Sequence, residues 1–231
     1  MNQKYVALDL ETTGLSPEFD EIIEVGAIKF QDDQVIDTFQ AIVNPQRSLH
    51  YRIKLLCGIE QSQLDAAPSF SEIADGLRDF IEGSAIVGHN IAFDLGFLAQ
   101  KGIRPTGHTH DTWELATVLL FKQPDYSLAS LTRQLGISRP EHRALTDALA
   151  TKDLFLALRE RALQLDRSTI EKLVNLAEAA DWDAAHFFRD VLQTKVRTAF
   201  TDSDDTKLYE RKDRMGLWDE EGKRSLVRRA D

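Results

Sequence analysis

The chain has 231 residues, 42% hydrophobic and 29% charged, with a formal charge of −10 at neutral pH. That length suits one sizeable domain plus a small appendage, and the composition is that of a soluble globular protein. The acidic balance argues against a general nucleic-acid coat, which is normally basic, but not against an enzyme whose acidic ligands are countered by bound cations. A single cysteine, Cys57, rules out an internal disulfide framework and fits a reducing cytoplasm. No apolar run approaches the ~20 residues of a membrane span, and no signal peptide is expected, because acidic residues enter the first apolar run.

The first predicted element is a buried strand in Tyr5-Val6-Ala7-Leu8-Asp9-Leu10-Glu11, short, apolar and rich in strand formers. Glu21 to Phe30 and Val35 to Val43 read as a second and third strand with short connections, hence an antiparallel meander. Asn44 to Ala67 is irregular or helical in short pieces. Ser69 with Glu72 has capping-box spacing and opens a helix whose apolar stripe is Ile73, Leu77, Phe80 and Ile81. Ala85 to Gly88 is a short buried strand, followed by a helix from Asn90 to Gln100 that Gly102 ends. Asp111 precedes a helix through Phe121, Ser127 caps another through Leu135, and Arg143 opens a long one to about Leu163. Three strands and then alternating helices and strands predict an α/β fold, a mixed sheet covered by helices.

A second, helical unit is expected over 166–200, with a capping box at Ser168 to Glu171 and a further helix capped by Asp183. Phe187 and Phe188 are more apolar surface than two helices can hide, so this unit should dock on the core or on a partner. From Thr201 onward the sequence is polar, and residues 201–231 are expected to be flexible or ordered only against a partner.

The chemistry rests on carboxylates. Asp9 and Glu11 lie two residues apart on a strand, so they project from one face. Two like charges that close are tolerated readily when a cation sits between them. Asp94 falls in the first turn of the helix after the buried strand Ala85 to Gly88. Asp147 lies inside the long helix among Ala144, Leu145, Ala148 and Leu149, and His142 stands just ahead of it. A buried Asp needs a partner, and a cation is the most economical one. No Walker-type loop, nucleophile elbow, cysteine pair or dinucleotide fingerprint competes with this reading. Four carboxylates without thiolates suit Mg²⁺ or Mn²⁺ rather than zinc.

Asp9-x-Glu11 with Thr12-Thr13-Gly14-Leu15, Gly88-His89-Asn90 through Asp94, and His142-x4-Asp147 resemble, in order and spacing, the three motifs of the DEDDh (DnaQ-like) 3′-to-5′ exonuclease superfamily. The likeness runs from about residue 4 to 160. It is nearest to epsilon-type proofreading subunits of DNA polymerase III and to exonuclease domains of DinG-type helicases. It implies a ribonuclease H-like mixed five-stranded sheet, an exonuclease domain over 1–165, two Mg²⁺ or Mn²⁺ ions held by Asp9, Glu11, Asp94 and Asp147, and His142 as general base. It further implies a terminal nucleotide held by Thr12, Thr13, Gly14 and Leu15, with Ile59, Asn90 and Phe93 as further contacts. Where the family often has His-Gly-Ile-Thr, this chain has Cys57-Gly58-Ile59-Glu60. The implied substrate is a single-stranded or frayed DNA 3′ end in replication or repair, with a polymerase or helicase partner or fusion through residues 166–231. An RNA-directed, oligoribonuclease-like enzyme and a catalytically silent docking module are the alternatives.

Overall fold

The computed structural model describes residues 3–198. The expected tail at 201–231 lies outside the described residues. The sheet has five strands in the order β3-β2-β1-β4-β5: β1 is Tyr5–Thr12, β2 Ile22–Gln31, β3 Gln34–Ile42, β4 Ala85–Gly88 and β5 Thr109–Asp111. β1, β2 and β3 pair antiparallel, and β4 and β5 add parallel strands to the other side of β1. β1 is therefore central, and alternation divides its side chains between two cores. Val6, Leu8 and Leu10 join Val25, Ala27, Leu77, Phe97 and Leu98 on one face, covered by α3 (Phe70–Ile81) and α4 (Ala92–Gln100). Tyr5 and Ala7 join Phe30, Val87, Leu115, Leu154, Phe155 and Leu158 on the other, covered by α5 (Thr112–Leu119) and α7 (Ala144–Leu163). Asp9 and Glu11 continue this second face.

Two short helices, α1 (Tyr51–Cys57) and α2 (Gln61–Asp65), occupy the connection after β3, and α6 is Leu128–Leu135. The Ser69–Glu72 capping box forms as expected at the head of α3. The predicted box at Ser168 does not. α8 (Arg167–Ala179) begins two residues earlier, with Asp166 as its N-cap accepting from the Thr169 N–H. Asp166 also accepts from the hydroxyls of Ser168 and Thr169, so an ionised cap gathers the donors that a box would have divided. Among the described residues a further helix, α9, runs over 184–198.

α8 and α9 are not a separate body. Ile170, Val174, Phe187, Phe188 and Val191 belong to the same core as Tyr5, Phe155 and Leu158. Phe187 meets Phe155 edge-on at 5.6 Å between ring centroids, and Phe155 in turn contacts Tyr5 and Phe30. Aromatic side chains bury the most apolar surface per residue, which accounts for a helical unit that closes the core.

One glycine fixes the relation between α7 and the sheet. Gly26 of β2 lies directly across from Asp9 of β1, and a Cβ at Gly26 would overlap the main chain of Ala144 and Leu145. The missing side chain lets the first turn of α7 rest on the sheet beside Asp9.

Candidate active site

Three elements bring the predicted acids together. β1 presents Asp9 and Glu11 on the α7 face, and a register shift between Glu11 and Thr12 ends the regular ladder where the chain must turn away. α4 presents Asp94 in its first turn, 5% exposed. Its Oδ1 accepts from the Leu10 N–H at 2.9 Å, between the two β1 acids in sequence. α7 presents Asp147, also buried, whose Oδ1 accepts from the Glu141 N–H at 2.8 Å. That bond folds the preceding segment back over the helix start and carries His142 with it. His142 has φ of 55°, in the left-handed region that is uncommon for non-glycine residues. One ligand atom each from Glu11, His142 and Asp147 lie within 4.8 Å of one another.

The site is electrostatically unbalanced on its own. Burial, followed by the charges of Asp94, Asp147 and Glu11, pushes Asp9 well above the usual carboxylate range. Burial also lifts Asp94 to about 8 against the bonds from Leu10 and its own backbone. Glu11 rises to about 7 through burial and the charges of Asp147 and Glu24, with Arg143 working the other way. Asp147 is raised by burial against bonds from Glu141 and the nearby His142. Four crowded carboxyls that resist ionisation are what a protein presents when a multivalent cation is to complete the charge. The donor set, all oxygen plus one imidazole and no thiolate, fits a hard divalent ion.

The supports around this cluster were only partly visible in sequence. Asp111, at the end of β5, accepts from the N–H groups of Asn90, Ile91 and Trp113. One carboxylate thereby caps α5 and closes the turn that leads into α4 and Asp94. His89 is held at both ring nitrogens, Nδ1 to the Thr112 hydroxyl at 2.9 Å and Nε2 to the Tyr126 carbonyl at 3.0 Å. Burial depresses its pKa. With its proton on Nε2 the imidazole satisfies the Tyr126 carbonyl, while the Thr112 hydroxyl beside Nδ1 also donates to the Gly88 carbonyl at 3.0 Å and so ties His89 to the end of β4.

The turn after β1 is tied internally. Thr12 donates to the Gly14 carbonyl, Thr13 donates to Asp20, and the Glu21 N–H donates to Thr13. This leaves Leu15 85% exposed, an apolar side chain offered to solvent from a braced turn. Asn90 is exposed with φ of 61°, and Phe93 is half-buried against Phe97, 5.0 Å between centroids. Ile59 stands apart. It is 1% exposed and packs with Ile23, Cys57 and Leu64, so its side chain belongs to a small core beneath α1 and α2 rather than to an open surface. Sequence reading missed Glu24, which lies opposite Glu11 on β2. The available signal was an acid inside the apolar run Ile22-Ile23-Glu24-Val25.

A family model described as an exonuclease, RNase_T, matches residues 6–155. The DNA polymerase III PolC-type of Thermotoga petrophila is 37% identical over 189 residues, 79% of this chain and 14% of the polymerase. The 3′-5′ exonuclease DinG of Bacillus subtilis is 32% identical over 191 residues, 80% of this chain and 20% of that protein. The chain thus spans about a seventh to a fifth of the length of these curated relatives. Among solved structures, E. coli Exonuclease I in complex with a dA16 oligonucleotide superimposes with a TM-score of 0.60 at 19% identity, covering 69% of this chain and 41% of that one. No helix among the described residues is long and apolar enough to cross a membrane.

Proposed function

The chain belongs to the RNase_T exonuclease family, whose model spans residues 6–155, and from that premise we propose that it removes nucleoside 5′-monophosphates from the 3′ end of single-stranded or frayed DNA. The observation that carries this reading is the approach of Glu11, His142 and Asp147 to within 4.8 Å of one another, beside the raised carboxyls of Asp9 and Asp94. Asp9, Glu11, Asp94 and Asp147 would hold two divalent ions, Mg²⁺ or Mn²⁺, whose chemistry there is to acidify a water and to neutralise charge on the departing oxygen. His142 stands at the open rim of the cluster, exposed, and takes the proton from the attacking water. Asp147, bonded to the Glu141 N–H, fixes the segment from which His142 reaches in. The braced turn Thr12 to Leu15 positions the terminal nucleotide, with Leu15 against its base or sugar and Asn90 and Phe93 as further contacts in the same pocket.

In this reading residues 1–165 are the exonuclease domain and supply all five site residues, and the described helices between 166 and 198 complete its core. The named relatives are a polymerase and an exonuclease several times longer than this chain. That supports work beside a polymerase or helicase, through fusion or docking that involves residues 166–231.

The test is timed digestion of DNA and RNA oligomers of one sequence, labelled at either end, in EDTA and then in Mg²⁺ or Mn²⁺. The expected result is single-nucleotide shortening from the 3′ end of DNA that needs the metal. Cleavage of circular single strands, full activity in EDTA, or shortening from the 5′ end would each discard the reading. A clear preference for RNA would keep the chemistry and change the substrate.

A further inference from the structure

Glu24 is an acid on the site's own face that differs from the other four. It lies directly opposite Glu11 across the β1–β2 ladder, and directly opposed residues of antiparallel strands share a face. It is fully buried. Both of its oxygens are closed by donors. Oε1 accepts from Arg143 Nη2 at 2.8 Å and from Gln40 Nε2 at 3.0 Å, and Oε2 accepts from Arg143 Nε at 3.0 Å and from the Ala144 N–H at 3.1 Å. A carboxylate has about four acceptor positions, so this one has none left for an ion. Burial pushes its pKa up, yet the bonds from Arg143, Gln40 and Ala144 outweigh it and hold the carboxyl below its ordinary value. The four acids around it are all shifted the opposite way.

The donors identify what Glu24 holds. Ala144 is the first residue of α7, and Arg143 is its N-cap, in extended backbone with no side-chain cap bond. Ala144 N–H is one of the donors a helix start leaves without an internal partner, and Glu24 supplies that partner from the sheet. Immediately before Arg143 is His142 at φ of 55°, and one turn later is Asp147. The two-pronged bond to Arg143 fixes orientation as well as distance, and Gly26 lets the helix start settle onto the strand two residues further along. The site's base and its α7 carboxylate are thus set, relative to Glu11, by a side chain from the strand next to it.

We propose that Glu24 is a positioning residue of this site, acting through Arg143 and Ala144 to set His142 and Asp147, and that it holds no metal itself. The proposal rests on the exonuclease reading above and extends it. It is tested with Glu24→Gln, Arg143→Ala and the double variant Glu24→Gln/Arg143→Ala in the full chain. Steady-state kinetics on a short oligonucleotide should show kcat lower by roughly tenfold to a hundredfold in Glu24→Gln, as expected for a misplaced group, with KM within about twofold of the parent protein. Arg143→Ala should lose a similar factor, and the double variant no more than the larger single loss, because the two residues act as one unit.

Two further readouts do not depend on turnover. Mn²⁺ titration should give the same number of bound ions in Glu24→Gln as in the parent, and the His142 ring resonances should move while those of His89 do not. A lost Mn²⁺ ion would make Glu24 a ligand and overturn the proposal. Parent-like kcat together with unmoved His142 resonances would overturn it as well. Should Glu24→Gln fail to fold, Arg143→Lys keeps the charge and loses the fork at a half-exposed side chain. Parent-like kcat there would equally end the proposal. A parent protein inactive on every nucleic acid would defeat the exonuclease reading, while the His142 resonances and the Mn²⁺ count would still decide the role of Glu24.

Discussion

Neutralising Glu11 should stabilise the metal-free protein, and by an amount that grows with pH. Burial and the charges of Asp147 and Glu24 raise its carboxyl from 4.5 to about 7. A carboxyl whose folded pKa lies above its unfolded value binds more protons in the folded state, so stability falls as pH rises between the two values. Below about pH 4 both states are protonated and the cost is absent; above about pH 8 it is complete. The gap of roughly 2.5 units, at ~1.36 kcal/mol each, sets a ceiling of about 3 kcal/mol. Solvent reaches part of the side chain, and screening lowers the expected figure to about 1–2 kcal/mol. For a folded region of this size that is a melting-temperature difference of about 3–6 °C. The assay is thermal melting of the parent and Glu11→Gln in EDTA across this pH range, repeated with Mg²⁺. The two should nearly coincide at about pH 4 and separate up to about pH 8, with the variant melting higher. Mg²⁺ should then reverse the order, because Gln offers the ion no charge. A difference that does not change with pH, or a variant that melts lower in EDTA at high pH, would refute the electrostatic account.

Chelation should abolish nuclease activity and Mg²⁺ or Mn²⁺ restore it, measured by release of mononucleotide; robust activity in metal-free buffer would remove the role given to the four carboxylates. His142→Ala should keep oligonucleotide affinity by fluorescence anisotropy but lose turnover by about 10²–10⁴-fold, and an unaltered rate would assign the base elsewhere. Gly26→Ala should force the first turn of α7 off the sheet, with roughly 1–3 kcal/mol lost in urea titration and activity reduced more than tenfold; parent-like values in both would show that the contact with Ala144 is slack. Phe188→Ala should destabilise by about 3–5 kcal/mol in the same titration, and a loss below about 1 kcal/mol would mean that α9 is not part of the core.

Much of this was legible from residues because local and long-range signals agreed. The apolar run of Tyr5 to Leu10, the Ser69–Glu72 box and the caps at Asp111 and Ser127 all appear where expected. The five candidate site residues stood out because acids in apolar surroundings are conspicuous and their spacing resembles known motifs. β5 was harder: a three-residue strand is too short for periodicity, and only its parallel pairing with β4 defines it. Ile59 was misleading, because motif position said nothing of the small core under α1 and α2 that claims its side chain. Glu24 carries no local signal of its role, since its four donors come from three residues, Gln40, Arg143 and Ala144, up to 120 positions away. The Asp166 cap was missed because a box pattern two residues later looked complete.

The 20 residues of α7 form a rod about 30 Å long, and its two ends do different jobs. Asp147 sits near one tip, and Phe155, eight residues or about 12 Å further on, is gripped by Tyr5, Phe30 and Phe187. The rod is therefore a lever pivoted on an aromatic fulcrum. A tilt of about 5° at that pivot swings the carboxylate tip by about 1 Å, and a displacement of that size is enough to cost ~10²-fold in rate. α9 contributes none of the five site residues, yet through Phe187 it helps set the angle of the rod. A bulkier or smaller side chain at that pivot would therefore reach the candidate site as a change of leverage rather than as a lost contact.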